Sequence, residues 1–198
     1  MNFPHPSWIC LYELRTKQTT PDNIDAQEMA SLCVELYGGV ARAGEMVDSE
    51  QIPKFLTPSL PHLSGLMAFY ASDLSICESL LRLFRDYAEQ FIAVLEPQPC
   101  LVLFQASGEL LKSYSSVHCA SNRTVVFSAE EEQNYNDVLC AIELLIQLGT
   151  KDFISISDSG GMQTNQVTDM IFYGLQQILP LMTRGLLQFP KLCSQYFS

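Results

Sequence analysis

Residues 73–95 read DLSICESLLRLFRDYAEQFIAVL. Ile76, Leu80, Leu83, Phe84, Tyr87 and Phe91 recur there at steps of three and four, which lines them along one face of an α-helix; a half-buried strand would need alternation by two. Asp73 stands where a helix start wants an acceptor for its unbonded amides. Pro97 and Pro99 stop the pattern or open the next element.

Downstream, QPCLVLFQASGELLKSYSS (residues 98–116) puts Leu101, Phe104, Gly108, Leu111 and Tyr114 on one face. Its β-branched and aromatic start also suits a short strand, but the GELLKSY continuation favours helix. Gly108 costs about 1 kcal/mol of helix propensity relative to Ala, a cost that a closely crossing neighbour helix offsets. After a polar connection, Ser128 and Glu131 have the spacing of a capping box. Glu130, Glu131 and Glu132 would face the positive end of the helix dipole, and they also suit an acidic face for a basic partner. Tyr135, Val138, Leu139, Ile142, Leu145 and Ile146 carry that helix to Gly149. Ser155 to Gln166 read as a loop, followed by a helix with Val167, Met170, Ile171, Gly174, Ile178 and Leu181 on one face, its last turns kinked by Pro180.

Upstream, residues 25–46 align Met29, Leu32, Cys33, Leu36 and Val40 along one helical face, with Gly38 and Gly39 ending or bending the helix. Residues 51–70 carry prolines 53, 58 and 61 and predict one or two short helices. The expected organisation is an irregular or short-helix segment over residues 1–22 and a helical-repeat segment over residues 23–198. The last residues, LLQFPKLCSQYFS (186–198), predict a helix whose continuation and packing partner lie outside the chain, so the array is expected to be truncated at its C-terminal end. The fold class is all-α, and broad apolar stripes favour stacked helical hairpins over a compact bundle.

The 198 residues are 47% hydrophobic and 17% charged, the profile of a folded chain. Against 22 acidic residues stand 11 Lys and Arg, a net charge of −11. Nucleic acid and anionic membrane surfaces are therefore poor partners, and basic proteins are favoured. Seven cysteines, odd in number and widely spaced, suit buried thiols in a reducing compartment. The start, MNFPHPSWICLYEL, lacks the pattern of a signal peptide, and no stretch reaches 18 uninterrupted apolar residues. A soluble nuclear or cytosolic protein without membrane insertion is expected.

Chemistry-bearing motifs are absent. His5, His62 and His118 stand in unrelated contexts, no two cysteines are separated by two residues, and neither phosphate-binding nor nucleophile-elbow glycine patterns occur. Asp158-Ser159-Gly160 resembles half of an aspartic-protease site, whose chemistry needs a second facing carboxylate. Ser155, Ser157 and Ser159 are phosphorylatable in type, but nothing specifies a kinase. Cys33, Cys77, Cys140 and Cys193 read as core-filling thiols. No enzyme activity is expected, and no catalytic, cofactor-binding or metal-binding residue is assigned.

Residues 129–149, AEEEQNYNDVLCAIELLIQLG, and 169–197, DMIFYGLQQILPLMTRGLLQFPKLCSQYF, resemble a region of the exportins among the nuclear transport receptors of the importin-β (karyopherin) superfamily. Phe172-Tyr173-Gly174, Ile178 to Met182 and Leu186 to Phe197 carry the likeness. The resemblance implies HEAT/armadillo-like antiparallel hairpins stacked in a right-handed superhelical solenoid. It implies protein binding without catalysis: Ran GTPase in its GTP form in the full-length receptor, nucleoporins, and protein cargo including a translation factor and a SMAD-class regulator, with shuttling between nucleus and cytoplasm. A shortened loop at Ser157 to Gln166 and a proline-rich start depart from the family pattern. A non-enzymatic helical-repeat scaffold or adaptor is the alternative.

Overall fold

A computed structural model describes residues 24–45, 51–118, 135–150, 164–182 and 186–197. Every regular element among the described residues is helical: α1 (Ile24–Arg42), α2 (Gln51–Leu56), α3 (Leu60–Phe69), α4 (Leu74–Phe91), α5 (Pro97–His118), α6 (Asn136–Gly149), α7 (Thr164–Ile178) and α8 (Pro190–Tyr196). Short 3-10 turns at Ala43–Glu45, Thr57–Ser59, Leu179–Leu181 and Leu186–Gln188 join or end them.

The local signals explain most boundaries. Asp73 caps α4, its carboxylate accepting from the amides of Ser75 at 3.0 Å and Ile76 at 3.2 Å. The three prolines between 51 and 61 split that stretch into α2, a 3-10 turn and α3, with Pro61 in the first turn of α3, where its missing N–H costs nothing. Pro180 ends the α-helical winding of α7 and opens a 3-10 turn. Phe189 is extended ahead of Pro190, which starts α8.

Three expectations are corrected, and a fourth falls outside the described residues. Helix α1 runs through Gly38 and Gly39 to Arg42, and it buries Ala26, Ala30, Val34, Tyr37 and Ala41. The expected stripe is split: Met29, Leu32 and Leu36 are 47%, 58% and 63% exposed, while Cys33 and Val40 are half-buried against the core. The small alanines let α4 approach the α1 backbone, so the longer side chains are turned away. No neighbour crosses closely at Gly108, where an added Cβ would meet nothing within 4 Å. Helix α6 begins at Asn136 with Tyr135 at its N-cap, and the Ser128–Glu131 capping box lies outside the described residues. Thr164, Asn165 and Gln166 belong to α7 and not to the preceding loop.

The helices pack in two rows, α1–α4–α6–α8 and α3–α5–α7, with the rows against each other. Register follows from the polar bonds. Ser79 bonds Glu35 and Arg42 bonds Asp86, both pairs 44 residues apart, so α1 and α4 run in the same direction. Asn136 to Glu78 and Arg85 to Glu143 are both 58 apart, so α4 and α6 run in the same direction too. An antiparallel pair would hold the sum of residue numbers constant, not the difference. The intervening α5, about 33 Å long at 1.5 Å per residue, must therefore run back.

One hydrophobic core extends from Ala30 to Leu192, with Tyr70, Phe84, Tyr87, Phe91, Phe104 and Tyr114 among its largest members. Two buried tyrosine hydroxyls find side-chain partners, Tyr87 with Thr57 at 2.7 Å and Tyr114 with Asp137 at 2.6 Å, whereas the Tyr37 hydroxyl has none among the described residues. Burial pushes the Tyr87 hydroxyl up to about 12, against the opposing pull of the Thr57 bond. Ring stacking of Tyr135 on Phe189, centroids 4.5 Å apart, helps seat α8.

Candidate protein-interaction surface

Polar side chains cross the α1–α4–α6 row in a ladder. Asp86, only 5% exposed, sits at its centre. Its Oδ2 accepts from Arg42 Nη1 at 3.2 Å, and its Oδ1 accepts from Arg85 Nε at 3.0 Å and Nη2 at 2.7 Å. The remaining Arg85 nitrogen, Nη1, donates to Glu143 on α6 at 2.8 Å. Two turns earlier, Glu78 accepts from Arg82 and from Asn136, and Ser79 donates to Glu35 on α1. Burial pulls the Arg85 guanidinium down, but the bonds to Asp86 and Glu143 and the fields of Cys140 and Asp86 more than offset it, so it is held firmly charged.

Arg42, Arg82, Arg85, Asp86, Glu89 and Gln90 line an open cleft of about 470 Å³ between α1 and α4. All arginines of the described residues are in it. A second open groove of about 560 Å³, against α5 and α7, is lined by Gln105, Gly108, Glu109, Asp169 and Tyr173. Its two charges are negative, and Glu109, Asp169 and Tyr173 are exposed. A smaller apolar groove of about 230 Å³ lies among α6, α7 and α8, floored by Ile142, Leu145 and Ile178.

None of these surfaces carries a nucleophile beside a base. Cys77, Cys100 and Cys140 are buried, while Cys33 and Cys193 are half-buried. The Cys140 thiol, mainly through burial and despite the Arg85 charge, is pushed up to about 11, so it stays protonated and inert near neutral pH. His118 is buried against the Tyr114 ring, at 4.7 Å between centroids, and His62 lies on α3 far along the chain from it. His5, Glu130 to Glu132, Ser155, Ser157 and Asp158 to Gly160 lie outside the described residues. Among the described residues no group of three metal-ligating side chains gathers, and no helix is long and apolar enough to cross a membrane.

The residues compared with the exportins divide between core and surface. An added Cβ at Gly174 would meet Leu145 at 2.6 Å and Leu111 at 3.4 Å. Ile178, Leu181, Leu186, Phe189 and Leu192 are buried, whereas Phe172 is 60% exposed. The arginine cleft is a feature that sequence reasoning missed. Arg82 and Arg85 are visibly one turn apart on α4, but Arg42 joins them only through packing. No family model matches the sequence.

Proposed function

We propose that this chain is a segment of a nuclear export receptor of the importin-β superfamily, resembling exportin-4, and that it works by binding proteins and not by catalysis. In this reading the helices form HEAT-like antiparallel hairpins in a right-handed superhelical solenoid, whose surfaces contact protein cargo and the GTP form of Ran during passage between nucleus and cytoplasm. The observation that supports it most is the same-direction packing of α1 with α4 and α4 with α6 at fixed residue offsets. Stacked hairpins produce such rows, because each returning helix places the next one beside its predecessor.

The chemistry of the surfaces is compatible with protein binding. Open grooves lined by charged and aromatic side chains suit side chains of a partner better than a sequestered small molecule, which needs an enclosed apolar pocket. The net charge of −11 favours basic cargo surfaces, and the Glu109–Asp169 groove is one place for them.

The test is binding of the chain, immobilised on a biosensor, to Ran loaded with a non-hydrolysable GTP analogue and to Ran loaded with GDP. Preference for the GTP form is expected. Equal binding of both forms would replace the transport reading with that of a helical-repeat scaffold.

A further inference from the structure

We propose that a segment of a partner protein lies across α7, with basic side chains in the groove between α5 and α7 and large apolar side chains in the furrow among α6, α7 and α8. The inference adds a ligand class to the protein-binding reading, on which it rests, and needs nothing of the transport reading. Asp169, Phe172, Leu175 and Leu179 follow one another at steps of three, three and four, which keeps them on one side of the helix. All are exposed, Phe172 by 60% and Leu179 by 49%. The two ends of this face differ. Asp169 borders the groove of about 560 Å³, with Tyr173 beside it and Gln105 and Glu109 of α5 opposite. Leu175 and Leu179 border the furrow of about 230 Å³, whose lining holds no charged side chain.

Charge selects the occupant. Glu109 and Asp169 make no hydrogen bond or ion pair among the described residues, and no basic side chain lines their groove, so both negative charges are uncompensated. Lys112, three residues beyond Glu109, is exposed but lies outside the lining. The net charge of −11 adds a long-range pull of the same sign. At Gly108 an added Cβ would meet nothing within 4 Å, so the groove has room for a side chain of the partner. Tyr173 supplies an exposed aromatic ring of the kind that attracts ammonium and guanidinium groups. A small cation would use the carboxylates but leave Phe172, Leu175 and Leu179 in water; a segment joining basic to apolar side chains covers both. Asp169 and Leu179 are ten residues apart, about 15 Å at the helical rise, which about five residues of extended chain can span. A second copy of this chain suits the face less well, because its own net charge of −11 is repelled by the groove.

The experiment is fluorescence anisotropy with the whole chain and labelled peptides of equal length: two lysines, a glycine and three leucines; the same with glutamines for the lysines; and the same with serines for the leucines. The first is expected to bind about fivefold more tightly than the glutamine peptide and about tenfold more tightly than the serine peptide. The combined Glu109→Gln and Asp169→Asn variant should lose the preference for lysine, and Phe172→Ser should reduce the preference for leucine. Equal affinity for the lysine and glutamine peptides overturns the proposal. Equal affinity for the leucine and serine peptides overturns it in favour of a plain cation site. A preference unchanged in its variant places binding elsewhere and overturns it too. Sedimentation as a dimer that Phe172→Ser dissociates would overturn it in favour of a second copy. If circular dichroism shows a variant unfolded, salt decides on the unaltered chain: going from about 50 to about 300 mM sodium chloride must weaken the lysine peptide more than the glutamine peptide, and equal responses overturn the proposal. Each of these results is independent of which nucleotide form of Ran the chain prefers.

Discussion

Gly108 and Gly174 are both helix-interior glycines, and their surroundings are opposite. At Gly108 an added Cβ enters open space, so Gly108→Ala gains helix propensity and should stabilise by about 0.5–1 kcal/mol. At Gly174 the Cβ would stand 2.6 Å from Leu145 Cδ2, and Leu145 is itself in the core; its displacement should outweigh the propensity gain and cost about 1 kcal/mol. Urea unfolding of the two variants checks this, and shifts of the same sign would refute the packing at Gly174. Titration offers a second residue-scale test. Tyr87 and Cys140 have native pKa values raised to about 12 and about 11, from ordinary values of 10.0 and 9.0. Both groups are neutral when protonated, so their contribution is complete below pH 9 and is lost as pH rises through 11 and 12. Stability should fall from about pH 9 upward, and Cys140→Ala should flatten the first part of that fall; an unchanged slope would count against burial of the thiol. At this scale the cap at Asp73 was legible because it depends on neighbours two and three residues away. The space around Gly108 was not, since it depends on a helix far along the chain.

Between helices, the Asp86 carboxylate links α1, α4 and α6 by holding Arg42 directly and by orienting Arg85 toward Glu143. Asp86→Ala leaves two guanidiniums without their shared acceptor. Removing one member of a buried pair costs 3–5 kcal/mol as an upper range. Because Arg42 is half exposed and Arg85 a quarter, water recovers part of that, and a loss of about 2 kcal/mol is expected. A loss below about 0.5 kcal/mol in chemical denaturation would mean the ladder is only a surface decoration. The helices themselves were legible in the periodicity, but the buried face of α1 was not. Apolar spacing gives most weight to Met29, Leu32 and Leu36, whereas α4 packs on the alanine face, where small side chains permit close approach. For the same reason the arginine cleft was invisible: helical period governs contacts three or four residues apart, and Arg42 meets Asp86 across 44.

Across the whole molecule, α1 packs on α4, and α7 packs on α5 and α6; no comparable contact joins α1 to α7. Yet the hydrophobic core is continuous from Ala30 to Leu192. These two facts make opposite demands on how stability is distributed. A continuous core that unfolds as one unit passes any local loss to every amide, while stacked hairpins pass it mainly to neighbours. Gly174→Ala separates the cases because its added methyl presses on Leu145 of α6 and Leu111 of α5 and on nothing in α1. Under stacking, hydrogen exchange measured by mass spectrometry should quicken in α5, α6 and α7 while the buried stretch of α1 around Val34 keeps its protection. The variant's cost of about 1 kcal/mol corresponds to about fivefold faster exchange in segments that sense it fully. An equal acceleration in α1 would mean that the rows act as one closed core, and the solenoid reading would lose its main physical support.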